Sequence, residues 1–135
     1  MLVSGCAMSQ LQKQQGEQLN VFGIELFSTV DYRQIGSVTA VEEPCLKGYE
    51  RSFDPLDVTI GYGFNNIIRK ITTRNRSTSM YGIIPGMALV DGQQRAERAG
   101  FSRISPYIFH FNDLSLTLLA DSNDILFGIT VERID

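Results

Sequence analysis

The sequence predicts an α+β domain made of two tandem repeats, each a short helix followed by antiparallel strands, with the helices packed on one sheet. Three observations lead to this fold class. The chain has 135 residues, of which 43% are hydrophobic and 20% charged, as expected for one globular domain. Similar residues recur at an offset of 58 positions. Apolar and polar residues alternate with the period of a strand in several stretches.

The internal repeat is the strongest of these signals. Without gaps, eight of the 24 positions from 49 to 72 are identical to the residue 58 positions later, against about 6% expected from ordinary composition. We therefore place the two repeats at about 21–76 and 80–135. The identical pairs are Tyr49/Tyr107, Phe53/Phe111, Leu56/Leu114, Thr59/Thr117, Asn65/Asn123, Ile67/Ile125, Ile71/Ile129 and Thr72/Thr130.

The first repeat is expected to begin with a strand at Val21–Leu26 and a short helix at Ser28–Gly36. A loop at Val38–Lys47 follows. Alternation then predicts a strand at Val58–Tyr62, and glycine and asparagine predict a turn at Gly63–Asn66. The returning strand is marked by Ile67, Ile71 and Thr73.

The second repeat is expected to follow the same order. An extra strand at Met80–Ile84 precedes a helix at about Ala88–Ala99, which Gly100 ends. Gly92 weakens this helix by ~1 kcal/mol relative to alanine. The remaining elements are strands at Tyr107–Phe111 and Leu114–Leu118, a turn at Ala120–Asp124, and a third strand whose inward face is Ile125, Phe127, Ile129 and Val131.

The N-terminus carries a motif that points to a lipid anchor. Val3-Ser4-Gly5-Cys6 resembles the lipobox of bacterial lipoproteins, an aliphatic residue and two small ones before a cysteine. The resemblance implies that the signal peptide is cut before Cys6 and that Cys6 is acylated. Ala7, rather than aspartate, implies sorting to the outer membrane of a Gram-negative bacterium, on its periplasmic side. The alternative is that Cys6 is an ordinary cytosolic thiol.

The lipobox resemblance also divides the chain. A signal peptide needs an apolar segment of roughly 7–15 residues, so we expect residues 1–5 to be the remnant of one that starts upstream of Met1. Residues 6–20 would be the lipidated cysteine and a glutamine-rich polar tether, and residues 21–135 the folded domain. The other cysteine, Cys45, is expected to be a small half-buried apolar residue. A disulfide between Cys6 and Cys45 is the alternative in an oxidising compartment if Cys6 is not acylated.

A second resemblance concerns the folded part. Gly86-Met87, Asp91 and the closing Gly100 resemble the helix entry of small envelope domains. These include the small lipoprotein of the outer-membrane barrel-assembly machine and the tandem-repeat β-lactamase inhibitor proteins. The resemblance implies a helix-on-sheet fold.

The residues give little sign of catalysis. His110 is the one histidine, and no nucleophile is placed near it by sequence, so a solvent-facing imidazole is the simpler interpretation than a general base. Two distant cysteines do not make a zinc site, and no phosphate-binding glycine motif is present, so we expect neither metal nor cofactor. The net charge of −3 argues against general binding of nucleic acid.

One basic strip stands out in the first repeat. Arg69, Lys70, Arg74 and Arg76 lie within eight residues that contain no acid, and the equivalent stretch of the second repeat is not basic. The strip is a candidate site for anionic lipid headgroups, lipopolysaccharide phosphates or an acidic partner. The alternative is a solvated strand end whose charges discourage edge pairing.

Together these observations predict a lipid-anchored cell-envelope protein that acts as a binding or scaffolding module, without catalysis, and that has a protein partner in the envelope. Two alternatives stay open. A concave sheet face with exposed Tyr49, Tyr62 or Tyr107 would favour a periplasmic inhibitor or immunity-type protein that blocks an enzyme. A deep pocket that holds His110 beside a carboxylate would favour an unrecognised hydrolase.

Overall fold

The computed structural model describes residues 18–134, which are mostly β-structure. A short 3-10 helix at Asp54–Leu56 joins two of the strands. The single α-helix of residues 18–134, α1, spans Leu89–Arg98. The strands are β1 (Leu19–Asn20), β2 (Gln34–Ile35), β3 (Val38–Thr39), β4 (Val41–Cys45), β5 (Gly48–Phe53), β6 (Val58–Gly63), β7 (Ile68–Thr73), β8 (Ser79–Met80), β9 (Ser102–Arg103), β10 (Ile108–Phe111), β11 (Leu114–Ala120) and β12 (Leu126–Arg133).

Eight of these strands form one antiparallel sheet in the order β4-β5-β6-β7-β12-β11-β10-β9. Each half of the sheet is a run of four consecutive strands, and the halves meet where β7 pairs with β12. Thr72 and Thr130 are direct partners at this junction, and their hydroxyl oxygens lie 2.9 Å apart. These are two of the residues that the 58-residue offset aligns. The interpretation of the halves as copies of one unit stays a prediction.

The hydrophobic core lies on one face of the sheet. Residues that are direct partners across strands share a face, so Ile60, Ile71, Val131 and Leu116 form a continuous buried row across four strands. Helix α1 packs on the same face in the second half of the sheet, where Gly92 lies against Leu126 and Leu118. Gly92 is buried against the sheet, and a Cβ atom there would lie 2.7 Å from Cδ1 of Leu126. The glycine therefore allows a close approach of helix and sheet.

The predicted fold class is wrong. The helix expected at Ser28–Gly36 is not formed, so residues 18–134 are a mostly β domain and not two helix-plus-strand repeats. The segment contains the β-branched Thr29 and Val30, which are poor helix formers. Its backbone groups are also bonded elsewhere, because the Tyr62 hydroxyl donates to the Val30 carbonyl at 2.6 Å and accepts from the Tyr32 N–H at 2.9 Å.

Several local predictions are also corrected. The extra strands expected at Val21–Leu26 and Met80–Ile84 are tight turns in which Ile24 N–H bonds to Val21 O and Ile83 N–H to Met80 O; β8 includes only Met80 of this stretch. The loop expected at Val38–Lys47 contains β3 and β4 instead.

In β7 and β12, the buried residue near the N-terminal end of the strand is one position later than the sequence predicts. In β12, Leu126 is buried and Phe127 is exposed, although Phe127 was expected on the inward face. Similarly, Ile68 rather than Ile67 is fully buried. Register shifts near these points, between Leu119 and Ala120 and between Gly61 and Tyr62, break the strict alternation on which the predictions relied.

The predictions for the helix of the second half and for most strands are confirmed. Helix α1 begins and ends one residue inside the expected bounds, and Gly100 follows it with a positive φ of 106°. No helix within residues 18–134 has both the length and the apolar character needed to cross a membrane.

Candidate binding surfaces

Arg51 is a buried cation at the centre of a polar cluster in the first half of the sheet. Only 5% of this residue is exposed. Its guanidinium lies 5.1 Å from the ring centre of Tyr49 and 5.0 Å from that of Tyr62, and the two rings stack on each other at 5.0 Å. The same group donates to Glu42 at 3.0 Å, to Asp31, and to the Tyr32 carbonyl at 3.1 Å. The cluster fixes residues 30–32 against the sheet where the helix was expected.

The pKa directions fit this arrangement. The Arg51 and Arg33 hydrogen bonds hold the pKa of the Asp31 carboxyl below its ordinary value of 3.8. Burial acts to lower the pKa of Arg51, but the hydrogen bonds to Asp31 and Glu42 outweigh it and the pKa stands above its ordinary value. The ion pair therefore favours the charged forms of Asp31 and Arg51, as expected for groups with a structural role.

The tyrosines that would have favoured an inhibitor are not gathered on one exposed face. Tyr62 is buried, and Tyr49 is half-buried beside it on the face of the sheet that carries the core. Tyr107 is exposed and lies just before β10, in the other half of the sheet. Tyr49 and Tyr62 instead hold Arg51.

The other face of the sheet is open and polar. Across it, consecutive direct partners run His110, Ser115, Glu132 and Lys70. This row places Ser115 between the histidine and the carboxylate. Nucleophilic catalysis needs the imidazole between the hydroxyl and the acid, so the row lacks the order that a serine hydrolase uses.

The structure separates the four cations of the predicted basic strip. Lys70 lies 3.6 Å from Glu50 and pairs across the strands with Glu132, so acids flank it on both sides. Arg74 lies over the ring of Phe127 at 5.8 Å, and Arg76 lies near Gly86, before α1.

Lys70 and Arg74 share a groove of about 460 Å³ on the open face. Glu50, Asp54 and Asp57 line the same groove, so its three acids outnumber its two cations. The groove is therefore a poor site for an anion. Arg69 lies elsewhere, at one end of the sheet.

Arg69 belongs to the surface that best fits a binding role, which we name the tip surface. It surrounds a hollow of about 430 Å³ at one end of the sheet, where the β4–β5 and β6–β7 hairpins turn. The turns lie side by side because Gly48 and Gly63 are direct partners. The tip surface consists of Phe27, Leu46, Lys47, Gly63, Phe64, Asn65, Ile67, Ile68, Arg69 and Arg133.

The tip surface combines exposed apolar groups with cations. Leu46 is 98% exposed, Phe64 78% and Phe27 44%. Lys47, Arg69 and Arg133 line the same hollow, and the Arg133 guanidinium lies 6.0 Å from the ring centre of Phe27. Large apolar side chains exposed together on a folded domain are typical of interaction sites.

The turns at the opposite end of the sheet differ in chemistry. The positions 58 residues after Leu46, Lys47 and Phe64 are Ile104, Ser105 and Ser122. They lie in the β9–β10 and β11–β12 connections, which the strand order places at the far end. A hairpin therefore forms without an aromatic ring or a cation at these positions, so the fold does not require Lys47 or Phe64, whereas Ile104 is exposed and apolar as Leu46 is.

Sequence reasoning found Arg69 but missed the apolar half of this surface. Leu46 and Phe64 each stand in a turn, where single exposed apolar residues are common, and only the pairing of β5 with β6 brings them together. The predicted lipidation site Cys6 lies outside the described residues. Cys45, expected to be half-buried, is exposed at the end of β4, next to Leu46.

No group of three or more His, Cys, Asp or Glu side chains in residues 18–134 could hold a metal ion. Comparison with known proteins identifies no relative: no protein-family model, curated protein or solved structure shows a significant match to the chain.

Proposed function

We propose that this protein is a lipid-anchored component of the bacterial cell envelope whose folded body is a non-catalytic binding module. The anchor would be the acyl group on Cys6 that the lipobox resemblance implies. The tip surface is the binding site of the folded body. Its three exposed apolar side chains, which line one hollow together with three cations, carry this proposal. The turn that matches Phe64 at the other end has Ser122 in its place, so the hairpin forms without this aromatic ring.

The strongest support is the exposure of Leu46 and Phe64. Leaving such side chains in water forgoes roughly 1.5–3 kcal/mol of burial free energy for each. Neither contributes to the buried core, and the core is formed on the covered face by other residues. A binding role explains why they stand at this end.

Site-specific photo-crosslinking in the native cells tests the proposal. A photoreactive phenylalanine analogue at position 64 should crosslink to a component of the envelope, lipid or protein. The same analogue at position 122, 58 residues later in an exposed turn, is the matched control and should give little product. Equal crosslinking at both positions, or none at position 64, would contradict the binding role of the tip surface.

The anchor has its own test. Fatty-acid labelling should modify the wild-type protein and not a Cys6→Ser variant, and that variant should leave the membrane fraction. A free thiol at Cys6 in native cells would contradict the lipid anchor and leave the binding role to be judged by the crosslinks.

A further inference from the structure

We infer that the tip surface binds the headgroup region of an anionic phospholipid leaflet, with Leu46 and Phe64 inserted at the boundary of the acyl chains. Lys47, Arg69 and Arg133 would then contact lipid phosphates. This inference rests on the proposed function, because it names the partner of the same surface.

The first argument is the combination of groups. Peripheral membrane contact needs apolar side chains that reach past the headgroups and cations that meet the phosphates. Leu46 and Phe64 are exposed over most of their surface, so they can enter the leaflet without rearrangement of the fold. The three cations line the hollow between these apolar groups, which is where phosphates would lie.

The second argument is the difference in charge between the ends of the sheet. Two of the turns at the far end, Asp54–Asp57 and Asp121–Asp124, contain two aspartates each, whereas the β10–β11 turn at the near end contains one, Asp113. An anionic leaflet attracts the end with Lys47, Arg69 and Arg133 and repels those aspartates. The domain would therefore meet the membrane with the tip surface first.

The third argument is the tether. Eleven residues lie between Cys6 and Gln18, where the described structure begins. A fully extended tether of this length reaches at most ~40 Å. An anchored body is thus confined close to the leaflet, and even weak affinity of the tip surface keeps it there.

Vesicle sedimentation with the full, unacylated chain tests the lipid contact directly. We expect binding to phosphatidylcholine vesicles that contain phosphatidylglycerol, little binding to phosphatidylcholine alone, and weaker binding at high salt. Leu46→Ser combined with Phe64→Ser should reduce the partition coefficient by about tenfold or more, because both inserted side chains are lost. Ile104→Ser, at a 59% exposed position in the opposite turns, is the control and should bind as the wild type does.

Fluorescence gives a second measurement, because the chain contains no tryptophan. Phe64→Trp places a single reporter on the tip surface, and Ser122→Trp places one at the matched position of the other end. Vesicles should shift the emission of Phe64→Trp to the blue, and brominated acyl chains should quench it. Ser122→Trp should show neither effect.

Three results would overturn the inference: no binding of the wild type to anionic vesicles, equal binding of the double serine variant, or equal quenching of the two tryptophan variants. These results are distinct from failure of the proposed function. If position 64 crosslinks to a protein in cells while the vesicles stay unbound, the binding role stands and the lipid partner is wrong. If position 64 crosslinks to nothing in cells, the binding role itself is wrong.

Discussion

Arg51→Met should destabilise the protein by about 2 kcal/mol, because the change removes the buried cation at the centre of the polar cluster and leaves its volume nearly filled. The bond from Arg51 to the Tyr32 carbonyl contributes roughly 1.5 kcal/mol as a charge-assisted bond. The contacts with the Tyr49 and Tyr62 rings contribute about 1.5 kcal/mol together. Methionine recovers roughly 1 kcal/mol through apolar burial. The ion pairs add little, since both carboxylates are about half exposed and screened by water.

Thermal and urea unfolding followed by circular dichroism measure this loss. For a chain of this length, about 2 kcal/mol corresponds to a fall in Tm of roughly 6–8 °C. Arg33→Met is the matched control, because Arg33 also pairs with Asp31 but is mostly exposed, and it should stay within about 0.5 kcal/mol of the wild type. If Arg51→Met unfolds at the wild-type temperature, or if both variants lose equal stability, the cluster does not hold residues 30–32 as we infer.

Two further predictions concern buried groups and backbone geometry. Burial raises the pKa of Tyr81 from 10.0 to about 12, and residues 18–134 supply no partner for its hydroxyl. Because the tyrosine ionises more easily in the unfolded chain, the free energy of unfolding is unaffected below pH 10. It falls by about 3 kcal/mol as the pH rises to 12 and beyond. Tyr81→Phe should remove that fall and leave stability at neutral pH unchanged or up to about 1 kcal/mol higher, as unfolding at several pH values will show. Gly48→Ala should cost about 3 kcal/mol or prevent folding, because φ is +151° and a Cβ atom would collide with the Tyr62 carbonyl oxygen. Gly36→Ala, with positive φ but open space, should cost only about 1 kcal/mol; equal losses in the two glycine variants would show that the collision is relieved.

The regular β-structure was the predictable part of the fold, because alternation is a local signal. Leu114, Leu116 and Leu118 are buried as their spacing predicts. The errors arise where a long-range contact decides the conformation. Nothing in the order of residues 28–36 shows that a hydroxyl 30 positions away takes the backbone groups that a helix would need. Likewise, Arg51 looks like an ordinary surface residue of a strand until Tyr49 and Tyr62 are placed around it.

The candidate site could be predicted only in part for the same reason. The basic strip groups four cations that are close in sequence, but alternation along β7 and the bulge near Tyr62 send Lys70 and Arg69 to different surfaces. Lys70 then meets Glu50. The register of a strand thus decides on which face each charged side chain lies. A single sequence does not fix the register where bulges are present.

Phe27 connects residues 28–36, where the helix was expected, with the tip surface. Its N–H bonds to Ile68 O at 2.8 Å, and in the second half the N–H of Gly86 bonds to Leu126 O at 2.7 Å. Both residues have positive φ, 65° for Phe27 and 108° for Gly86. Glycine adopts this conformation freely, whereas a bulky aromatic residue is strained there by roughly 1 kcal/mol or more. Phe27 is both strained and 44% exposed, so burial does not explain an aromatic ring at this position. Its place beside Leu46 and Phe64 on the tip surface does explain it if the three side chains bind together.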